Sequence, residues 1–295
     1  MHPLRLYLSI FFSVGVVVCI LLYKSDLQKL HPILRISHPS YALYPPDAEL
    51  NSLKLKADDP KVIKVLERNY LFPPSRKLYN LSFDEINPSM GQAQKIDRIL
   101  SGMNGGFFIE CGALDGETRS NTLFFERERH WKGLLIEADP KNFDLVLSKN
   151  RKAYSSPTCL APDVHPISVK FQQQKNMGHI VGENFRNVGG TEMGEILEVQ
   201  CFPLLSYLKA LNITTVDYFS LDVEGAEFSI LQNIPWKEVN IKTLSVEYIH
   251  DKVDKFSIVE YMREQGYVFH SEVTHALWLA NDFIFVKSDL YNYVE

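Results

Sequence analysis

Glu110, Gly112 and Gly116 stand in the stretch FFIECGALDGETRS, Phe107 to Ser120, and could do chemistry together. Three apolar residues run into an acid, two glycines bracket a short turn, and a helical pattern follows from Thr122 to Glu126. A buried strand, a glycine turn and a helix start form a cradle for a nucleotide-like ligand. Gly112 has no Cβ, so the backbone can turn there and approach a ligand closely. The spacing is E-x-G-x-x-x-G. It is neither the dinucleotide fingerprint nor the lysine-bearing phosphate loop. A carboxylate at the strand end suits a cationic ligand or ribose hydroxyls. An ordinary strand–turn–helix is the competing reading.

Three more acidic sites recur at the ends of apolar runs. Gly133–Ile136 ends in Glu137, Val216–Val223 delivers Asp222 and Glu224, and Thr243–Tyr248 delivers Glu247. His250 follows the last of these runs. Like charges gathered at one sheet end are costly unless a ligand or metal offsets them. Asp222, Glu224 and His250 are the candidate catalytic residues, with His250 as a surface histidine and Glu224 as a helix cap the alternatives. Asp222, Glu224 and Glu247 could also hold a divalent ion through oxygen. The reading adopted carries no metal, and no Cys/His spacing suggests zinc.

The elements that position these residues alternate. Strands are expected at Phe107–Ile109, Gly133–Ile136, Ala153–Ser155, Val216–Val223 and Thr243–Tyr248. Helices follow the glycine turn, Asp139-Pro140, Pro203 and Glu227, and another covers Phe256–Gln265. Such alternation calls for a mainly parallel α/β sheet with helices on both faces. The tail, with strands at Tyr267–Phe269 and Phe283–Val286, has no room for a crossover helix and must close as an antiparallel hairpin. His165–Phe171 alternates like a hairpin arm. Asn176–Gly194 is polar and glycine-rich, read as a mobile loop over the site or as a plain surface loop. Ahead of the sheet, Asp59-Pro60 opens a helix running to about Asn69. Ser89 with Gln92 forms a capping-box pattern for a helix to Leu100.

The chain has 295 residues, a formal charge of -5 and 45% hydrophobic residues, so a sizeable core is available. Without a basic block, nucleic acid is excluded as an expected partner. The 18 residues from Leu6 to Tyr23 carry no charge and just reach spanning length. They are followed by bulky residues rather than a small-residue cleavage site, which favours an uncleaved signal-anchor over a signal peptide. Flanking charges do not set the orientation. The sequons at Asn80 and Asn212 are compatible with a lumenal domain. The expected organisation is an anchor at 1–24, a proline-broken stem at 25–56 and one domain at 57–295. Cys19 lies in the span and Cys111 in the glycine turn. Cys159 and Cys201 are expected to form a disulfide in an oxidising lumen.

FIECGALDGETRSNT, LLIEADP, DYFSLDVEGAEFSIL and TLSVEY together resemble the FkbM-type methyltransferases, a branch of the class I S-adenosylmethionine-dependent enzymes. The resemblance covers about residue 90 to the end. It implies a Rossmann-like, seven-stranded sheet whose last strand is antiparallel, with S-adenosylmethionine as cofactor. Carried over by position, Glu110, Gly112 and Gly116 form the first cofactor loop. Glu137 binds the ribose hydroxyls, Asp163 lies near the adenine, and Asp222 faces the methionine end or the acceptor. The anchor and the phrases SLDVEGAE and LLIEADP are similar to the membrane-anchored arthropod, Star-like branch. Two functions follow as expectations. One is O-methyl transfer to a small molecule or glycan in the endoplasmic reticulum or Golgi. The other is a non-catalytic module that exports membrane or secreted cargo from the endoplasmic reticulum.

Overall fold

The computed structural model describes residues 44–185, 193–275, 277 and 279–291, all within a unit that begins at Tyr44. The anchor at Leu6–Tyr23 lies outside the described residues, and no described helix is long and apolar enough to cross a membrane. The stem reading needs correction at its end. Ala48–Leu53 is a helix (α1), with Asp47 as its cap accepting from the Leu50 amide. Pro45-Pro46 does not break a helix here but precedes one, since proline is tolerated beside a helix start. Gln200 ties α1 to the domain by accepting from the Asp47 amide at 2.9 Å.

Pro60–Val65 (α2) starts as its sequence dictates, with the Asp59 carboxylate accepting from Lys61 N. It continues as a wider turn over Leu66–Tyr70. Gln92–Ile99 (α3) starts at Gly91 rather than at Ser89. The capping box does not form because the Gln92 amide donates instead to Asp282, at 2.8 Å. Ser89 still accepts from the Ala93 amide.

The fully buried strand Phe107–Cys111 (β1) leads to helix Leu123–Glu128 (α4). Lys132–Ile136 (β2), Pro140–Ser148 (α5) and Tyr154–Ser156 (β3) complete the first half. A smaller set of strands then intervenes: Cys159–Leu160 (β4), Ile167–Gln172 (β5), His179–Val181 (β6) and Ile196–Phe202 (β7). Helix Leu204–Ala210 (α6), strand Thr215–Leu221 (β8), helix Glu227–Gln232 (α7) and strand Asn240–Glu247 (β9) return to the parallel pattern. Helix Lys255–Glu264 (α8), strands Tyr267–Thr274 (β10) and Asn281–Lys287 (β11), and the turn of helix Ser288–Tyr291 (α9) close the chain.

Seven strands form the main sheet in the order β10-β11-β9-β8-β1-β2-β3. All neighbours pair in parallel except β11, which is antiparallel to both β9 and β10. The expected closing hairpin is therefore present. β1 and β8 are adjacent at the centre, where the direction of strand succession reverses. A crevice opens at the carboxyl ends of strands at such a point. Core side chains on the two faces include Phe108, Phe125, Phe143, Tyr218, Phe219 and Phe285, all essentially inaccessible.

The second sheet, β4-β7-β5-β6, extends what the sequence suggested. Its β5 corresponds to the expected hairpin arm, but β6 lies inside the stretch read as a loop. The segment 186–192 of that loop is outside the described residues. Cys159 and Cys201 are register partners in β4 and β7, and they are bonded as a disulfide. Alkylation under denaturing conditions is expected to add two more groups after reduction than before it. Cys201→Ser is expected to lower stability by about 2–4 kcal/mol in denaturant unfolding.

Candidate functional site

A cleft of about 1010 Å³, including solvent at its mouth, lies at the carboxyl ends of β1, β2, β4 and β8. Glu110, Gly112, Glu137, Asp222 and Glu224 all line it, as do Asn121, Asn142 and Leu160. Gly178 and Ile180 from the small sheet form part of the opposite wall.

Glu110 serves the loop more than the opening. Its oxygens accept from Ser120 Oγ at 2.8 Å, the Asn121 amide at 2.6 Å and Thr122 Oγ1 at 2.5 Å. Burial pushes its carboxyl up, although Arg151 and these donors pull the other way. The carboxylate expected to face a ligand is thus spent on folding the glycine loop back onto β1. Arg151, also buried, spans the same loop. It donates to the Gly116 carbonyl and lies 3.1 Å from Glu126.

Gly112 has φ +84, and a Cβ there would sit 1.8 Å from the Asp222 carbonyl oxygen. The glycine therefore lets β1 and β8 emerge side by side into the cleft. Gly116 has φ +79 and turns the loop toward α4. Beyond β2, the Glu137 carboxylate accepts from the Leu114 amide at 2.7 Å and the Asp139 amide at 2.9 Å. These bonds hold it across the loop while further lone pairs stay available. Burial, with the Asp139 charge adding to it, pushes Glu137 up to about 8.

Asp163 does not join the site. It is not among the residues lining the cleft, and its carboxylate accepts from the His165 amide at 3.3 Å. The wall past β3 is instead formed by Thr158, Cys159 and Leu160. The interposed strand β4 carries the chain away before Asp163 is reached.

The other end of the cleft is acidic. Asp222 is raised well above an ordinary carboxyl by burial and by Glu224, Glu247, Asp282 and Glu227 around it. Glu227 is fully buried and caps its own turn, accepting from the Val223 and Gly225 amides. His250 Nδ1 lies 2.6 Å from Glu224 Oε2 and 3.1 Å from Glu247 Oε1. Burial draws His250 down, but the two carboxylates outweigh it and push it up to about 10. An imidazole held in this way is charged near neutral pH and is not a ready proton acceptor. His250 is also absent from the cleft lining, which leaves Asp222 and Glu224 as the candidate acids that reach the opening.

Two residues of the cleft wall escaped sequence reading. Asn121 donates to Ser220 Oγ at 3.0 Å, while its Oδ1 is buried without a partner on the cleft wall. Its signal was a polar amide at the junction of glycine turn and helix. Asn142 acts on the Glu137 carboxyl from the first turn of α5. The Asp139-Pro140 cap announced that turn without showing which way Asn142 points.

A three-layer α/β fold with a crevice at the strand reversal, a glycine turn and an acid after β2 defines a nucleotide-cofactor domain of the methyltransferase class. The methyltransferase FkbM domain family matches residues 110–269, more than half of the chain, and the chain belongs to that family. The cofactor of these enzymes is S-adenosylmethionine. Among curated proteins none matches the chain significantly. Solved structures similar to it include a methyltransferase FkbM from Methylobacillus flagellatus KT, with 12% identity and TM-score 0.40 over 62% of this chain and 43% of that one. This chain thus spans less than half the length of that protein. A putative RNA methyltransferase from Pyrococcus horikoshii has 9% identity and TM-score 0.37, over 78% of this chain and 98% of that chain. A 1,6-didemethyltoxoflavin-N1-methyltransferase from Burkholderia thailandensis, solved with S-adenosylhomocysteine, has 10% identity and TM-score 0.36. The match covers 69% of this chain and 80% of that one.

Proposed function

We propose that this chain transfers a methyl group from S-adenosylmethionine to a hydroxyl oxygen of a small molecule or glycan. The observation that carries this reading is the buried Glu137 carboxylate, fixed beside the Gly112 turn by two backbone amides. The residues present fit the cofactor. The space without a Cβ at Gly112 admits close backbone approach, and the unpartnered Asn121 Oδ1 can accept from an ammonium group. The acidic rim suits a sulfonium. When bound, the cofactor supplies an electrophilic methyl group on that sulfonium. Glu137 would accept from the two ribose hydroxyls. Asp222, at the cleft with its carboxyl raised, takes the acceptor proton, since a base with a raised pKa is better matched to neutral pH.

Localisation belongs to the same proposal: an anchor at Leu6–Tyr23 in an endoplasmic reticulum or Golgi membrane, with the domain lumenal. The disulfide supports an oxidising compartment. Both sequon asparagines are exposed, as glycosylation requires. The resemblance to the Star-like branch supports a second reading, in which the domain handles membrane or secreted cargo for export and does no chemistry.

Calorimetry on the full chain in detergent separates the two. S-adenosylmethionine is expected to bind, and Glu137→Gln to weaken it roughly 10- to 100-fold, the equivalent of losing about 1.5–3 kcal/mol of charge-assisted hydrogen bonding. Equal affinity in the variant overturns the role of Glu137. A folded wild-type chain that does not bind overturns the enzyme reading in favour of cargo handling.

A further inference from the structure

The acids at the far end of the cleft outnumber the cations that could neutralise them. Glu224, Glu227, Glu247 and Asp282 all act on Asp222, and Glu247 also acts on Glu227 and Asp282. Among the described residues, the ion pairs made to this group come from His250 alone. Asp282 is relieved in part by the Gln92 amide, and Glu227 by two backbone amides. Glu247 is relieved in part by the Ile249 amide and by His250, and Glu224 by His250 alone among the described residues. Buried charges in proteins are paired or coordinate metal ions.

We propose that Glu224, Glu247 and His250 bind a divalent first-row cation, of which Mn²⁺ is a suitable probe. Three observations support the site. The donor atoms of this trio all lie within 4.8 Å of one another. Glu247 is only 6% exposed, and its Oε2 has no hydrogen-bond partner. Glu224 Oε2 and His250 Nδ1 are likewise buried without a partner of hydrogen-bond geometry, although 2.6 Å apart. Donors at ~2.1 Å from one ion, at right angles, stand ~3 Å apart. The spacings of 2.6 and 3.1 Å from His250 Nδ1 are close to that. Where no ion is bound, a protonated His250 bridges the two carboxylates, and an ion would take the place of that proton among the same donors.

The chemistry of the donors sets the ion. Two carboxylates and one imidazole suit manganese or iron and are too nitrogen-rich for a calcium site. A second acidic trio, Asp222, Glu227 and Glu247, shares one member with the first. It is the weaker candidate, because both oxygens of Glu227 already accept from Val223 and Gly225. Glu224 lines the cleft, so an ion beside it reaches the acceptor end. There it would favour the ionised form of an acceptor hydroxyl, a use that rests on the methyltransferase reading. The binding site itself does not rest on it.

The test is titration of Mn²⁺ into the full chain in detergent, followed by electron paramagnetic resonance. One ion per chain is expected, with a nitrogen coupling from His250. Glu247→Gln and His250→Gln should each weaken binding at least tenfold. Absence of stoichiometric binding overturns the site. Bound Mn²⁺ without nitrogen coupling, a wild-type measurement that needs no variant to fold, also overturns it, as do folded variants that bind like wild type. S-adenosylmethionine binding, measured separately, distinguishes failure here from failure of the enzyme reading. A chain that binds Mn²⁺ but no cofactor keeps the site and loses the methyl transfer.

Discussion

Gly112→Ala is expected to destabilise the domain by about 3–5 kcal/mol and to abolish S-adenosylmethionine binding. Two costs combine. The backbone at φ +84 is left-handed, a conformation that costs a residue with a Cβ roughly 1–2 kcal/mol. The new Cβ would also lie 1.8 Å from the Asp222 carbonyl oxygen, a backbone atom that cannot swing aside. Overpacking of this kind costs roughly 1–3 kcal/mol where the surroundings yield. Here they yield poorly. The Gly112 amide donates to the Ile136 carbonyl at 3.0 Å, and the Asp222 amide donates to the Cys111 carbonyl at 3.1 Å. Relief therefore requires β1 and β8 to part at the floor of the cleft. Gly116→Ala provides the control. Its φ is +79, but its Cβ would stand 3.4 Å from the Val146 Cα, a tolerable contact. That variant should lose only the left-handed penalty, about 1–2 kcal/mol. Denaturant unfolding of both variants measures the difference. A Gly112→Ala protein within 1 kcal/mol of Gly116→Ala would contradict the close approach of the two strands.

The alternation of apolar runs and capped helices reveals the main sheet because its central strands are buried on both faces, while the edge strand β10 is half-exposed. β1 reads FFIEC and is buried throughout. The closing hairpin was legible from the lack of room for a helix. The small sheet was harder to see. In β7, ILEVQCF, only the last four residues are buried, and Gln200 is one of them, held by Asn51 of α1 as well as by the Ile167 carbonyl of β5. The pattern of that strand therefore reflects a partner 149 residues away. Similarly, the prolines before Asp47 concealed α1, whose packing against Gln200 no local signal announces.

The site shows the same division. Positions of the acids at strand ends are local, so Glu110, Glu137, Asp222 and Glu224 all appear around the cleft. What each carboxylate does depends on neighbours that come from elsewhere. Glu110 looked like a ligand group because it ends a strand, but Ser120, Asn121 and Thr122 fold back to occupy it. His250 looked like a base because it follows β9, but Glu224 and Glu247 hold it in the charged form. Arg151 gave no signal at all, since a lone arginine before a weak strand reads as a solvated residue.

Arg151→Met should therefore have the second large effect, about 3–5 kcal/mol of lost stability, although Met keeps much of the apolar stem. Both members of the Arg151–Glu126 pair are at most 2% exposed along their side chains. Removing one leaves the other as an uncompensated buried charge, which costs more than the pair contributed. Glu110 suffers as well. Its carboxyl is already pushed up by burial, and the Arg151 charge is the largest influence pulling it down. Without the guanidinium, Glu110 rises further and binds protons in the folded state that the unfolded chain releases. The stability of the variant should then fall more steeply than that of wild type as pH rises above the ordinary carboxyl range, and the two should converge toward pH 4. Arg151→Lys should not restore wild-type behaviour. One ammonium cannot reach Glu126, the Gly116 carbonyl, Ser120 Oγ and Thr122 Oγ1 at once, as the planar fork does. Glu126→Gln placed beside Arg151→Met should recover part of the loss, because it deletes one of the stranded charges. Unfolding curves for the two single variants and the double variant at pH 5 and pH 8 would measure the coupling. Additive losses with no dependence on pH would mean that Arg151 acts through packing alone. A coupled, pH-dependent loss would mean that the glycine loop is held in place by charge, with this arginine as the cation shared between Glu110 and Glu126.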